Sequence, residues 1–217
     1  MNLPSVTIID YGVGNLLSIQ RAFEHLGATV QVSSDPKVIL KSKRIVLPGV
    51  GAFPNAIKAL RKLNLIPAIH EAASNRKSIL GLCLGMQLLF DESNEFETSS
   101  GLGLIPGKVI PIPATDSFTN PRKVPHIGWN SLAPSENHKS WQGTLLSRNK
   151  PGESVYFLHS YMVLPTNQHH RLAETSYGGD KVVAAVAKDN IIGFQFHPEK
   201  SGTVGLRILD TFIREAK

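Results

Sequence analysis

Apolar and polar positions follow two alternating periods through the first half of the chain. Residues 6–9 form a short apolar run that predicts a strand. Leu16, Ile19, Phe23 and Leu26 then recur at helical spacing, and Gly27 supplies the stop. Residues 29–32 and 44–47 predict a second and a third strand. Pro54 can open the next helix, which carries Ile57, Leu60 and Leu63, and Leu65, Ile66, Ile69 and Ala73 mark another. Residues 78–90 read as a buried strand, a tight turn at Cys83 and a helix. Apolar strands separated by amphipathic helices predict an α/β fold with a mostly parallel sheet covered on both faces. Sites in such sheets form at the carboxyl ends of strands, which gathers Asp10, residues 48–51 and Cys83 on one rim.

The second half is richer in strands and turns. Residues 108–112, 155–158, 172–175, 182–187 and 191–196 are strand candidates, and their short connections predict antiparallel pairs added to the sheet. Residues 113–125 are polar and proline-containing, which predicts an exposed loop. Residues 203–216 form a closing helix with Leu206, Leu209, Phe212 and Ile213 facing inward. With no repeat, low-complexity tract or linker, residues 1–217 are expected to form one domain.

Composition sharpens this picture. Hydrophobic residues make up 41% and charged residues 18% of the chain, enough apolar material to bury a core without staples. The only cysteine excludes an intrachain disulfide and fits a reducing compartment. The chain runs directly into its first strand without a basic, then apolar, leader, and no apolar run is long enough to span a bilayer, so a cytoplasmic protein without membrane contact is expected. The formal charge of +6 comes from scattered residues such as Lys41, Lys43, Arg44, Arg61, Lys62, Arg76 and Lys77. No basic run with interleaved aromatics marks nucleic-acid binding, and the charge reads as a solvated face or a docking face for an acidic partner.

The candidate chemistry starts at Cys83. A lone cysteine is ordinarily a small buried hydrophobe. Here Gly81-Leu82-Cys83-Leu84-Gly85 has the form of a nucleophile elbow, a strained turn that needs glycines where neighbouring backbone crowds in. The helix that follows directs N–H groups at the sulfur and favours the thiolate. A thiol nucleophile needs a base, and the apolar strand 191–196 delivers His197-Pro198-Glu199 at its end. Residues two apart in extended chain project the same way, so Glu199 can orient His197. Oxyanion donors are available from the Leu84 N–H and from the turn Pro48-Gly49-Val50-Gly51, which equally suits ordinary strand-to-helix geometry.

These residues resemble the class I, or triad, glutamine amidotransferases. The finer motifs Ile9-Asp10-Tyr11-Gly12-Val13-Gly14-Asn15, Leu47-Pro48-Gly49-Val50-Gly51-Ala52-Phe53, Gly101-Leu102-Gly103-Leu104-Ile105-Pro106-Gly107, Pro125-His126-Ile127-Gly128-Trp129-Asn130 and His159-Ser160-Tyr161 are similar to those of the glutaminase subunits of imidazole glycerol phosphate synthases, in the same order along nearly the whole chain. The resemblance implies a flavodoxin-like fold and hydrolysis of glutamine to glutamate and ammonia. It implies that the ammonia passes through a channel to a separate (β/α)8-barrel cyclase subunit that makes imidazole glycerol phosphate in histidine biosynthesis. It also implies site roles. Cys83 forms a thioester, His197 shuttles the proton and Glu199 orients it. Val50, Gly51 and Leu84 form the oxyanion site. Gly49, Gln87, Glu95, Ser160 and Tyr161 bind substrate. Trp129 and Asn130 belong to a segment that faces the partner. Many triad amidotransferases carry a further glycine where this chain has Val50, and a β-branched residue resists positive φ. A low basal glutaminase rate, raised by the loaded cyclase, is the expected consequence.

Other readings are narrower. Gly12-Val13-Gly14 lacks the third glycine of a dinucleotide loop, because Leu17 stands there. The eight histidines show no metal-ligand spacing, so neither a metal nor a cofactor is expected. A glutaminase serving pyridoxal phosphate or anthranilate synthesis is the alternative within the enzyme class, and a non-catalytic regulatory subunit of the same fold is the alternative outside it.

Overall fold

A computed structural model describes residues 4–215. The first half runs β1 (Ser5–Ile9), α1 (Leu16–His25), β2 (Thr29–Ser33), α2 (Pro36–Lys41), β3 (Arg44–Leu47), α3 (Phe53–Lys62), α4 (Leu65–Ser74), β4 (Ser78–Leu82) and α5 (Leu84–Leu88). The second half runs β5 (Phe90–Ser93), β6 (Ser99–Ser100), β7 (Ile105–Pro111), β8 (His126–Ser131), β9 (Ala133–Pro134), β10 (Ser154–His159), β11 (Tyr161–Pro165), β12 (Arg171–Tyr177), β13 (Asp180–Lys188), β14 (Ile191–Phe194) and α6 (Gly202–Glu215). The closing helix expected over 203–216 is present to Glu215, and Ala216 lies outside the described residues.

The main sheet has the order β2-β1-β3-β4-β14-β13-β12-β9. Pairing is parallel from β2 through β14 and antiparallel from β14 to β9. The mostly parallel sheet flanked by helices, with antiparallel strands contributed by the second half, is therefore the fold that forms. Alternation along the strands divides the core into two layers. Ile9, Ile45, Leu47 and Ile79 pack with Phe53, Leu60, Leu65 and Ile69 of α3 and α4 on one face. Ile8, Val46, Leu80 and Leu82 pack with Ile19 and Phe23 of α1 and Leu209 and Phe212 of α6 on the other.

Two expectations need correction. The strands of the second half do not all join the main sheet: β11-β7-β5-β6 and β10-β8 are separate sheets, and they hold the predicted segments 108–112 and 155–158. β8, the partner of β10, was not legible because its pattern is inverted, with His126 buried while Ile127 and Trp129 are exposed. The helix after Cys83 ends at Leu88, and Phe90 already belongs to β5. α2 also went unread, although Pro36 stands at its first turn and the Asp35 carboxylate caps it by accepting from the Lys37 N–H at 2.8 Å. Residues 113–125 form the expected exposed segment, except that Arg122 is buried and pairs with Asp180.

Candidate active site

β3, β4 and β14 lie side by side and end at the same rim, so the turns after them converge. Cys83 sits in the turn after β4 with φ 54° and ψ −111°, held by its N–H donating to the Phe194 carbonyl at 2.7 Å. The bracketing glycines are there for contact. A Cβ on Gly85 would collide with the Leu47 carbonyl, and one on Gly81 would sit 2.7 Å from the Gly85 carbonyl oxygen. Gly49 has the same reason: a Cβ there would lie 2.8 Å from both the Gly85 nitrogen and the Leu84 Cβ. The Tyr11 hydroxyl donates to the Pro48 carbonyl at 2.6 Å and ties the turn after β3 to the one after β1.

His197 follows β14 in extended conformation, with its N–H on the Tyr156 carbonyl at 2.9 Å. Glu199 lies not in extended chain but in a 3-10 turn, Pro198–Lys200, which curls its carboxylate back to His197. His197 Nδ1–H donates to Glu199 Oε1 at 2.9 Å, and both side chains are almost fully buried. This leaves Nε2 for the sulfur. Burial pushes the His197 pKa down, but hydrogen bonds to Cys83 and Glu199, together with their negative charges, override it and raise the value to about 10.

A cavity of about 230 Å³ opens over these groups. Val50, Gly51, Cys83, Leu84, Gln87, Glu95, Pro125, Leu158, His159, Ser160, Tyr161 and His197 line it. Of the residues expected at the site, Gly49 and Glu199 are not in this lining: Gly49 packs beneath the turn and Glu199 stands behind His197. Gly51 takes φ 88°, whereas Val50 is not among the residues of positive φ. Glu95 is no surface charge. Its Oε2 accepts from the Phe53 N–H at the start of α3 at 2.7 Å, and burial raises its pKa against the lowering effect of that bond.

From the cavity wall a polar file runs inward; Gln87 and Tyr161 were legible in the sequence, but Gln195 and the connection between them all were missed. Gln87 Nε2 donates to the Tyr161 carbonyl at 3.1 Å and to Gln195 Oε1 at 3.0 Å. The Tyr161 carbonyl also accepts from His159 Nδ1 at 2.8 Å. His159 Nε2 then takes the Nδ1–H of His126 at 3.0 Å, and His126 Nε2 takes Asn130 Nδ2 at 3.2 Å. Each histidine is neutral, donating through Nδ1 and accepting through Nε2. Burial lowers the pKa of His126 to about 4 and, against the raising effect of the bond to the Tyr161 carbonyl, that of His159 to about 3. The available signal was a polar Gln195 inside an apolar strand, two residues before His197. Among the described residues no cluster of three or more His, Cys, Asp or Glu side chains is placed to hold a metal.

Cysteine, histidine and carboxylate thus meet at a cleft in an α/β protein, and the sequence profile of the family described as glutamine amidotransferase class-I matches residues 7–216. The chain belongs to the class I glutamine amidotransferases. The amidotransferase is 46% identical over 212 residues to the imidazole glycerol phosphate synthase subunit HisH 1 of Legionella pneumophila (strain Lens), covering 98% of this chain and 100% of that one. It is 44% identical over 213 residues to the subunit HisH of Lactococcus lactis subsp. lactis (strain IL1403), with the same coverage. Among solved structures it is similar in fold to PurLQS from Thermotoga maritima, with TM-score 0.71, 18% identity and full coverage of both chains. A structure titled as a glutamine amidotransferase matches with TM-score 0.70 and 14% identity over 95% of this chain and 97% of that one.

Proposed function

We propose that this amidotransferase hydrolyses glutamine at Cys83 and passes the ammonia to a (β/α)8-barrel cyclase subunit that makes imidazole glycerol phosphate in histidine biosynthesis. The observation that carries the chemistry is that Cys83 and His197 face one cleft while Glu199 holds His197 from behind. The high identity to HisH subunits over their whole length supports the pathway.

The thiolate of Cys83 attacks the side-chain amide carbon of glutamine. The carbonyl oxygen gains negative charge, which the Leu84 N–H and the Val50-Gly51 turn stabilise. His197 gives its proton to the departing nitrogen and ammonia leaves, with the acyl group as a thioester. Once the sulfur is acylated, His197 loses both the hydrogen bond and the charge of the thiolate, so its proton affinity drops. It then serves as base for the water that releases glutamate. Gln87, with both its N–H groups donated inward, offers Oε1 to the substrate. Glu95, poorly hydrated, gains from pairing with the substrate's α-ammonium group. Ser160 and Tyr161 close the other wall.

The rim supports a partner at the cleft mouth. Ile127 (56% exposed) and Trp129 (58%) lie opposite Leu158 and Tyr156 across β8 and β10, and Leu158 also lines the cavity. Such an apolar strip marks a docking surface. Among the described residues no helix is long and apolar enough to cross a membrane, and a free cysteine as nucleophile suits a reducing cytoplasm.

The test is steady-state glutaminase activity with and without the cyclase loaded with its ligand, using wild type and Cys83→Ala. Cys83→Ala is expected to abolish glutamine use while leaving ammonia-dependent cyclisation by the complex intact. Loss of both would assign Cys83 a structural role.

A further inference from the structure

We propose that Gln195 is a further catalytic residue of this enzyme: its side-chain amide N–H is a second hydrogen-bond donor to the Cys83 sulfur, beside His197, and favours the thiolate. The purpose of this contact rests on the glutaminase reading above, but its test does not.

Gln195 is fully buried, between the end of β14 and His197. Its Nε2 lies 3.8 Å from Cys83 Sγ. An amide can be turned either way round, and here the network decides. The Tyr161 carbonyl can only accept, so the Gln87 atom 3.1 Å from it is the nitrogen. The second N–H of that nitrogen reaches the Gln195 side chain at 3.0 Å, which must therefore present its oxygen. The Gln195 nitrogen is left facing the sulfur. A backbone carbonyl two side chains away thus fixes a donor, not an acceptor, on the nucleophile. A flipped Gln87 would set its own oxygen 3.1 Å from the Tyr161 carbonyl oxygen, which already accepts from His159 Nδ1 and has no proton to give.

A donor lowers the proton affinity of the sulfur, since a hydrogen bond to the charged form favours that form. One contact works against it: the Leu158 carbonyl, 3.7 Å from Sγ, accepts from the thiol and favours the protonated state. At the sulfur the Gln195 N–H therefore acts on the same side as the positively charged His197 and against the Leu158 carbonyl. The titratable groups that bear on this sulfur are His197 with Glu199 behind it, Tyr11 from the turn after β1, and Glu95, His159 and Tyr161 around the cavity.

The experiment measures the rate at which iodoacetamide alkylates Cys83 across pH in the full chain, for wild type, Gln195→Glu and Gln195→Met. Gln195→Glu keeps the acceptor for Gln87 but turns a carboxylate oxygen on the sulfur, and the alkylation midpoint is expected to rise by about one pH unit or more. Gln195→Met removes the donor without adding charge and is expected to raise it by less. Midpoints equal to wild type in variants that melt as wild type overturn the proposal, even if glutaminase activity falls, because a merely structural role would lower kcat without moving the titration. A wild type that alkylates with the expected profile but does not hydrolyse glutamine overturns the functional reading and leaves this one standing. Should neither variant fold, the Gln195 side-chain amide proton of the unaltered protein, followed by NMR, is expected to move as Cys83 titrates. An amide blind to that titration overturns the proposal.

Discussion

Burial alone would strip the proton from His197, because an imidazolium loses its hydration inside a protein. The Glu199 carboxylate and the Cys83 sulfur reverse that outcome and hold the proton up to about pH 10. The raised value means the cation is present at neutral pH and is lost only as pH rises through the folded pKa. Replacing Glu199 by Gln removes a charge and weakens the bond to Nδ1. The expected result is a roughly 10²- to 10⁴-fold drop in glutaminase kcat and an alkaline limb displaced to lower pH. A pH–rate profile of the variant, assembled with its cyclase, checks both, and an unmoved limb would reduce Glu199 to a filler of space. At this scale the sequence was informative where chemistry imposes a residue type. Cys83, His197 and the bracketing glycines could be read because an elbow and a base have few chemical solutions. Gln195 and the His126–His159 pair could not, because their roles depend on side chains brought together from distant strands.

The elbow works as an element because α5 docks so closely on the turn after β3. Gly85 stands where no Cβ fits against the Leu47 carbonyl, a rigid backbone atom of a central strand. Gly85→Ala must therefore push β3 and α5 apart, and a destabilisation of about 3 kcal/mol is expected, measured by urea unfolding. By contrast, a Cβ at Gly193 would meet Met86 Cγ at 2.4 Å, a side-chain atom rather than strand backbone, and Gly193→Ala should cost less. Equal effects at the two positions would contradict this account of the packing. The parallel strands and the longer helices were legible because a single burial face repeats along them. α2 is too short to show a period, and β8 hides its polar side chains inward, so neither announces itself. Their signals were local: the Asp35 cap for one, and for the other a pattern that makes sense only once His126 is seen stacked on Phe157 and Tyr177.

For the whole molecule, the two buried neutral histidines set a sensitivity to acid. Their folded pKa values, about 4 for His126 and about 3 for His159, lie below the unfolded value of 6.5. Between those limits the unfolded chain binds more protons than the native one, so stability rises with pH and is lost on acidification. From pH 6.5 to 5 the two together are expected to cost on the order of 3 kcal/mol, before carboxylates such as Asp180 and Asp210 begin to protonate. Burial lowers the His170 pKa too, and its contribution has the same sign. Urea midpoints at pH 6.5 and 5 measure the loss, and His159→Gln should flatten it. A wild type equally stable at both values would show that the native state accepts these protons. The order of the strands was the part of the topology that sequence could not supply, since β4 pairs with β14 across more than half the chain.

That pairing has a consequence for how the chain can be divided. The exposed segment 113–125 separates every element up to β7 from every element after it. β4 and β14, β7 and β11, and α1 and α6 each take one member from either side. A protease nick at Phe118, whose ring is largely in solvent, would cut the polymer but none of these joints. Two fragments, each lacking half of the nucleophile–base couple, should stay associated on a sizing column and go on cleaving glutamine as a split enzyme.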